Sequence, residues 1–326
     1  MLCRQGIAKA GRGPTQMEIR RAIMAYSALD NVLEALGTPE DCLSDAQLSD
    51  LDRDGFLVLP LNPKHLQRYG TSLEDLRDVT DALYEKEGWR GGWEGFEFVI
   101  EREQGKMADP GSRRLGNLVN KHPAYRALLT MPEVLVAARH IIGPNLRVSA
   151  VDMREPTQFG GRQKIHLDWE PRLSEDDPFR YMFCFFVIDD MNKDNGALRV
   201  IPGTHTRLDY PDEYIDTSAD HPDEIFVEAE AATRIIVNSL IWHSGSQNTS
   251  GARRRTFFTE YRERSLPQSL NQQLYVSQDV IDSLEDAHKW LLSVGDDFPV
   301  EEVRHYGPGD AYRRRYTMQS AHETGM

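Results

Sequence analysis

The sequence predicts a mainly β fold with flanking helices, and three features of the chain lead to this fold class. Short strand patterns follow one another through the middle of the chain, separated by turns rich in Gly, Pro, Asn and Asp. Residues 181–188 form an almost continuous apolar and aromatic run, as expected of a strand that is buried on both faces. Helical periodicity is confined to the first and last parts of the chain. Many short strands at this spacing are typical of a β-sandwich or a small barrel.

The N-terminal part of the chain carries helical patterns around one predicted strand. Apolar positions recur at helical spacing over residues 18–36, and Gly37 is a suitable helix end. Ser44-Asp45-Ala46-Gln47 has the capping-box pattern of a helix start. The remaining predicted elements here are a strand at 56–59, a helix at 72–87 that begins at Ser72, and a helix from Pro132 to about Ile142 that ends at Gly143.

Six strands form the predicted β core, and one helix follows it. The strands are expected at 146–151, 181–188, 197–201, 224–229, 234–238 and 254–261, and the helix at about 279–292. Residues 18–326 are therefore expected to form a single domain, with a helical part at 18–142, a β core at about 143–265 and a helical tail at 266–326. Residues 1–17 are predicted to be a disordered extension or the product of an upstream start, with a short transit peptide as the alternative.

Composition limits the partners that we expect. The 326-residue chain has a net charge of −14, which repels phosphate backbones, so we expect no nucleic-acid partner. No apolar run reaches membrane-spanning length, so we expect no membrane partner either. The cysteines lack motif spacing and are odd in number (Cys3, Cys42 and Cys184), which favours a reducing compartment and a cytoplasmic location.

His166-Leu167-Asp168 is the first candidate metal-binding motif. On a β-strand, side chains at positions i and i+2 point to the same face, so this imidazole and this carboxylate would converge. A second histidine, His243, follows the predicted strand at 234–238 and an apolar stretch. Two histidines and one carboxylate form the facial triad that holds Fe(II) in non-heme oxygenases. The alternatives are a surface His and Asp at one strand end, and a His243 that caps the other.

A second match to the same His-x-Asp pattern serves as an internal control. His221-Pro222-Asp223 lies in an acidic stretch behind Pro211 and Asp212. Because proline is poorly tolerated in an interior strand, we predict that this match lies in a loop and binds no metal.

The run Arg253-Arg254-Arg255 is the third element of the predicted site. Three adjacent arginines usually form a solvated corner, but on a strand Arg254 points opposite to its two neighbours. An inward guanidinium in a β core needs an anionic partner, and it can hold a carboxylate through two parallel hydrogen bonds. The far carboxylate of 2-oxoglutarate would be such a partner.

Together with the segment from Asp194 to His205, these motifs resemble the phytanoyl-CoA dioxygenase-like family of Fe(II)/2-oxoglutarate-dependent oxygenases. The resemblance covers roughly residues 43–262, and its most specific part is Asn195-Gly196-Ala197-Leu198 through Pro202-Gly203-Thr204-His205. It implies a double-stranded β-helix core, a cupin-like jelly roll. It also implies Fe(II) and 2-oxoglutarate as cofactors and O2 as cosubstrate.

The resemblance assigns roles to individual residues. His166, Asp168 and His243 would bind iron, and Arg254, eleven positions after the distal histidine, would bind 2-oxoglutarate, with Arg253 as the alternative. Phe185 would contact the cosubstrate, and His205 would have a structural or pocket-lining role. Relatives often carry a serine two residues after the distal histidine; here that position is Gly245, with Ser244 and Ser246 beside it, and Ser246 is the predicted substitute.

The resemblance also implies a type of reaction and a class of substrate. We expect oxidation, most simply hydroxylation, of an unactivated C–H bond in a small metabolite or natural product, with release of succinate and CO2. Trp169 and Met153 are predicted to line the substrate pocket, and the aromatic-rich loop 87–110 its mouth. The protein would act as a monomer or a homodimer. The alternatives are a catalytically silent 2-oxoglutarate or metal sensor, and a cupin-type metal isomerase or hydrolase.

Overall fold

The computed structural model describes residues 29–39, 41–88 and 111–294, and helices flank the β core in this part of the chain. The predicted extension at 1–17 and most of the aromatic-rich loop lie outside the described residues. Residues 29–35 are helical, and the further helices are Asp45–Asp54 (α1), Pro63–Arg68 (α2), Leu73–Glu87 (α3), Leu118–Lys121 (α4), Pro132–Ile142 (α5), Gln272–Tyr275 (α6), Gln278–Asp282 (α7) and Asp286–Leu292 (α8). No helix in these ranges combines the length and the apolar character needed to cross a membrane.

The described strands form two antiparallel sheets. They are Phe56–Pro60 (β1), Ser112–Leu115 (β2), Leu146–Pro156 (β3), Tyr181–Val187 (β4), Leu198–Ile201 (β5), Ile225–Val227 (β6), Thr233–Asn238 (β7), Trp242–Gly245 (β8) and Thr256–Glu263 (β9). The larger sheet has the order β1-β7-β4-β9-β3-β2, and the smaller one has the order β6-β5-β8. Each predicted strand is present, and β3 extends five residues further than expected.

The centre of the larger sheet explains its apolar sequence. Strands β4 and β9 pair in register, with Phe185 opposite Phe258 and Phe186 opposite Phe257. Phe186 and Phe257 belong to the main core, which includes apolar residues of α5, whereas Phe258 packs with residues of the smaller sheet such as Val200. The larger sheet is therefore covered by helices on one face and by the smaller sheet on the other. This confirms the predicted jelly-roll core with flanking helices.

Local capping explains the helix boundaries. Ser44 and Ser72 both complete capping boxes, in which the serine side chain accepts from the backbone three residues later. Pro132 begins α5, and Gly143 follows its last residue. The predicted single helix at 279–292 is wrong, because the chain forms α7 and α8 instead. Glu285 has extended backbone angles (ψ 157°), which interrupt the helix.

His205 joins the smaller sheet to the end of α1. The ring is 2% exposed, and its Nε2 atom donates a hydrogen bond to the carbonyl oxygen of Asp52 over 3.2 Å. Gly55 ends α1 with a left-handed φ of 82°, and a Cβ atom added there would lie 2.5 Å from the Nδ1 atom of His205. The ring thus fills the space that a glycine leaves open, and His205 has the structural role expected of it.

Replacing Gly55 with alanine should lower the free energy of unfolding by about 3 kcal/mol, because left-handed strain and a steric clash with His205 add together. Gly37→Ala is the matched control. Gly37 also has a left-handed φ (66°), but its added Cβ would meet no atom within 4 Å. It should cost only about 1 kcal/mol of strain. Chemical denaturation of both variants measures the difference, and equal losses would contradict the packing role of His205.

Candidate metal centre and cosubstrate pocket

Backbone pairing places the two candidate histidine ligands side by side. His166 and His243 form an antiparallel bridge, in which each backbone N–H donates to the other residue's carbonyl over 2.8 and 2.9 Å. Directly opposed residues project to the same face of a sheet, and the two ring centroids are 4.4 Å apart. The segment around His166 is held beside β8 by an isolated bridge, whereas a regular strand was expected.

Hydrogen bonds of the two rings determine which nitrogen is free. The Nδ1 atom of His166 lies 2.8 Å from the carbonyl oxygen of Lys164, and that of His243 lies 2.9 Å from the carbonyl oxygen of Ile241. Because a carbonyl oxygen only accepts, Nδ1 carries the proton in both rings and the lone pair is on Nε2. Burial, and then the nearby His243, lower the pKa of His166 to about 4. At neutral pH this ring is therefore in the form that binds metals.

Asp168 completes the cluster. Its Oδ1 atom is 3.6 Å from the Nε2 atom of His166, and its Oδ2 atom is 3.6 Å from the Nε2 atom of His243. Its backbone N–H donates to the carbonyl oxygen of Ser239 over 2.9 Å, which fixes its position beside the turn that joins β7 to β8. One nitrogen or oxygen atom from each of the three side chains lies within 4.8 Å of the others. Two neutral imidazoles and one carboxylate at this spacing fit a single divalent transition-metal ion such as Fe(II).

The control motif is arranged differently. His221 and Asp223 lie in a loop, as predicted. The Nδ1 atom of His221 accepts from the backbone N–H of Asp223 over 3.2 Å, which occupies that nitrogen. The Asp223 side chain is 79% exposed. The same three-residue pattern thus makes a solvated loop in one place and a convergent cluster in the other.

The three consecutive arginines separate as alternation predicts. Arg253 forms ion pairs with Glu155 at 2.6 Å and with Asp81 at 2.7 Å, and Arg255 pairs with Asp189 at 2.7 Å. Arg254 lines the same pocket as the three candidate ligands and makes no ion pair with any residue in the described ranges. The pocket therefore contains a guanidinium that has no anionic partner among the described residues.

The surroundings of Arg254 show how the guanidinium is held. Its Nη1 atom donates to the hydroxyl of Thr256 over 3.2 Å, while its Nε atom is buried without a partner. Burial, and then the nearby Arg154, lower the pKa of Arg254 to about 10. The group remains cationic at neutral pH. Burial and the neighbouring positive charge destabilise its charged form, and a bound carboxylate would offset this destabilisation.

The remaining lining of the pocket includes one predicted residue and several that were not predicted. Phe185 is present, packed against Phe258 with ring centroids 5.1 Å apart. Thr256 and Arg154 were missed. Thr256 has a usable sequence signal, since the predicted strand at 254–261 would place it two positions after Arg254 on the same face. Arg154 has none, because its place opposite Thr256 depends on the register between β3 and β9.

Three predicted site residues lie elsewhere. Met153 packs in the helix-covered core, on the face of β3 opposite to the pocket, because side chains alternate along a strand. The hydroxyl of Ser246 lies 3.5 Å from the carbonyl oxygen of Lys193 and does not line the pocket. Trp169 packs edge-on against Tyr181, with centroids 5.9 Å apart, and is also absent from the lining.

Gly245, at the position where relatives often carry serine, does line the pocket. A Cβ atom added to it would lie 2.5 Å from the carbonyl oxygen of Gly161. A serine could not be accommodated here without moving the backbone of the neighbouring segment. The hydroxyl that accompanies the guanidinium is instead supplied by Thr256 from β9.

Comparisons with known proteins show what this chain is similar to. The chain is 28% identical over 185 residues to the ectoine dioxygenase of Bordetella bronchiseptica, which covers 55% of each chain. It is 30% identical over 157 residues to the uncharacterized protein Mb1539 of Mycobacterium bovis, which covers 45% of this chain and 54% of that protein. The chain thus spans about half the length of these relatives.

The fold also matches a solved structure, HygX from Streptomyces hygroscopicus with nickel and 2-oxoglutarate bound. The TM-score is 0.52 at 14% identity, over 73% of this chain and 94% of that one. At this identity the match concerns the fold alone. The sequence profile of the phytanoyl-CoA dioxygenase (PhyH) family matches residues 51–256, and this range includes the three clustered side chains and Arg254. The chain therefore belongs to the phytanoyl-CoA dioxygenase family.

Proposed function

We propose that this protein is an Fe(II)/2-oxoglutarate-dependent dioxygenase that oxidises a C–H bond of a small metabolite, with hydroxylation as the simplest outcome. The observation that carries the proposal is that one pocket contains the His166, Asp168 and His243 cluster together with the guanidinium of Arg254, which forms no ion pair within the described part of the chain. Ferrous iron and 2-oxoglutarate, when bound, would supply the oxidative chemistry, with O2 consumed and succinate and CO2 released.

The residues of the chain would orient and enclose these groups. His166, Asp168 and His243 would hold the ion, and the carbonyl oxygens that accept from Nδ1 would fix both rings with Nε2 toward it. Arg254 would bind the far carboxylate of 2-oxoglutarate, with the Thr256 hydroxyl beside it. Phe185 and Phe258 would exclude water from the cosubstrate. Asp168 would provide one ligand to the ion, so the chain would not leave that position to chloride as related halogenases do.

The experiment that tests this proposal measures succinate formed from 2-oxoglutarate with added Fe(II) in air, with and without candidate substrates. The name of the Bordetella relative makes ectoine the first candidate to include. We expect slow uncoupled succinate formation that depends on Fe(II), and an increase with a true substrate. Binding of 2-oxoglutarate without turnover would indicate the silent sensor, and a metal-dependent reaction that needs no 2-oxoglutarate would indicate a cupin-type isomerase or hydrolase.

Thr256→Val should weaken 2-oxoglutarate binding about fivefold to tenfold, because it removes the hydroxyl that holds Arg254 in position. The measurement is an anaerobic titration of the Fe(II)-loaded protein, followed by the charge-transfer absorbance of the Fe(II)–2-oxoglutarate complex. Ser246→Ala is the comparison, since the Ser246 hydroxyl lies against the carbonyl oxygen of Lys193. A larger loss in Ser246→Ala than in Thr256→Val would restore the original assignment of Ser246.

We further propose that residues 18–326 form one oxygenase domain, and that residues 1–17 are an extension of it. The protein would work in the cytoplasm on a small molecule, as a monomer or a homodimer, without nucleic-acid or membrane partners. The negative net charge of −14 and the absence of cysteine motif spacing support this proposal. Light scattering of the purified protein would give the oligomeric state.

A further inference from the structure

The segment that carries Arg254 lies just before β9, where regular strand pairing ends. The N–H of Ile188 donates to the carbonyl oxygen of Arg255 over 3.1 Å, which continues the pairing of β4 with β9 by one residue. In a regular antiparallel ladder, the Arg255 N–H would donate in return to the carbonyl oxygen of Ile188. That oxygen instead accepts from the Nε atom of Arg77 over 2.9 Å. The peptide group that links Arg254 to Arg255 is therefore held by a group other than a ladder partner.

The carboxylate of Asp189 takes the place of the missing ladder bond. Its Oδ2 atom accepts from the backbone N–H of Arg255 over 2.9 Å and from the Nε atom of Arg255 over 2.7 Å. Its Oδ1 atom accepts from the Nη2 atom of the same guanidinium, also over 2.7 Å. One carboxylate thus holds both the side chain of Arg255 and the peptide group that follows Arg254.

The charge of Asp189 makes these contacts strong. Its side chain is 15% exposed, and burial alone would raise its pKa. Hydrogen bonds from the side chain and the backbone of Arg255 outweigh burial and hold the pKa below its ordinary value. The carboxylate is therefore charged at neutral pH, and charge-assisted hydrogen bonds are roughly twice as strong as neutral ones.

The peptide group before Arg254 is held from the same connection between strands. The Nδ2 atom of Asn195, a residue that is 3% exposed, donates to the carbonyl oxygen of Asp190 over 2.7 Å and to that of Arg253 over 3.4 Å. Residues 188–195, which join β4 to β5, therefore contact the peptide groups on both sides of Arg254.

The side chain of Arg254 depends on this support, because its own contacts are few. Its Nη1 atom donates to the hydroxyl of Thr256, and its buried Nε atom has no partner among the described residues. A planar guanidinium holds a carboxylate through two parallel hydrogen bonds only in a narrow range of orientations. Rotation of the peptide groups beside Arg254 would move the guanidinium out of that range.

We infer that Asp189 is a positioning residue for 2-oxoglutarate binding, because it fixes the backbone from which Arg254 would reach the far carboxylate. This inference rests on the proposed function, in which Arg254 binds 2-oxoglutarate. Asp189 does not line the pocket, so it would act through the Arg254 segment alone. Arg253 does not share this role, because its contacts with Glu155 and Asp81 are made by its side chain.

The test compares 2-oxoglutarate with 2-oxopentanoate, which has the same keto acid and chain length but no far carboxylate. Fe(II)-loaded original protein and Asp189→Asn are titrated anaerobically with each compound, followed by charge-transfer absorbance. The original protein should prefer 2-oxoglutarate. Asp189→Asn should reduce that preference about tenfold, because the amide lacks the charge and one of the two acceptor oxygens. Its affinity for 2-oxopentanoate should change less than about twofold, since Arg254 does not contact that compound.

Arg255→Gln is the second variant, and it decides the test if Asp189→Asn does not fold. It removes the guanidinium from Asp189 but leaves Arg77, whose Nε atom is 3.5 Å from the Asp189 Oδ1 atom. The backbone N–H of residue 255 also remains available to the carboxylate. The preference for 2-oxoglutarate should therefore fall by a smaller factor, about threefold to fivefold.

Glu133→Gln is the matched control. Glu133 forms an ion pair with the buried Arg234, and neither residue lines the pocket. This variant should lose stability but keep the preference for 2-oxoglutarate within about twofold.

Two results would overturn the inference while leaving the proposed function intact. One is an unchanged preference in Asp189→Asn and Arg255→Gln. The other is equal weakening of both compounds in Asp189→Asn, which would indicate a general structural role. Equal binding of the two compounds by the original protein would refute the proposed function, and the inference with it.

Discussion

Asp168→Ala is expected to abolish substrate oxidation and to lower uncoupled succinate formation by more than about 100-fold. Mutation of residues that merely support metal ligands typically costs 10-fold to 100-fold, so loss of a ligand should cost more. The carboxylate lies 3.6 Å from both imidazole Nε2 atoms, and no other acidic side chain lines the described pocket to replace it. Succinate assays at saturating Fe(II) and 2-oxoglutarate measure the effect.

Asp223→Ala in the control motif is the matched variant for this experiment. It removes a carboxylate from the same His-x-Asp pattern, but from an exposed loop. It should retain activity within about twofold, since exposed substitutions away from special features have small effects. Thermal melting of the metal-free proteins controls for folding. Full turnover by Asp168→Ala, with iron and cosubstrate supplied, would refute the assignment of Asp168 as a ligand.

Arg254→Gln is expected to weaken 2-oxoglutarate binding by about 100-fold or more, because a carboxylate held by a guanidinium loses two charge-assisted hydrogen bonds. The free protein should not lose stability. Arg254 has no ion pair with a described residue to break, and its charged form is destabilised by burial and by Arg154. Anaerobic titration gives the dissociation constant, and chemical denaturation gives the free energy of unfolding.

Arg253→Gln provides the opposite pattern. Arg253 is paired with Glu155 and Asp81, and Glu155 is 4% exposed, so this change should lower stability while leaving 2-oxoglutarate affinity within about twofold. Arg253→Gln should therefore lower stability but not cosubstrate affinity, whereas Arg254→Gln should lower cosubstrate affinity but not stability. Weaker cosubstrate binding in Arg253→Gln than in Arg254→Gln would show that Arg253, the alternative residue, binds 2-oxoglutarate.

Much of the fold could be predicted from local sequence signals. The capping-box pattern at Ser44 marked one helix start and Ser72 marked another, and the apolar run at 181–188 identified the central strand β4. Local periodicity did not predict the interruption at Glu285, since the apolar spacing continues through it. The pairing of His166 with β8 through one bridge could not be predicted either, because strand register depends on distant contacts.

The site shows the same division between local and distant information. Alternation along the predicted strand at 254–261 separated Arg254 from Arg253 and Arg255, and their side chains do differ in direction although β9 begins only at Thr256. The same rule would place Thr256 beside Arg254. This rule could not identify the pocket residues that other strands contribute. Met153 was predicted to line the pocket, but its neighbour Arg154 does so instead. Sequence alone does not say which face of β3 is directed toward the pocket.

The most direct test of the iron and 2-oxoglutarate site is a crystal structure prepared anaerobically with Fe(II) and 2-oxoglutarate, with anomalous diffraction measured at the iron absorption edge. We predict one strong anomalous peak at bonding distance from the Nε2 atoms of His166 and His243 and from the Asp168 carboxylate, with the far carboxylate of 2-oxoglutarate on Arg254. An iron peak elsewhere, or a 2-oxoglutarate carboxylate that makes no contact with Arg254, would contradict the account.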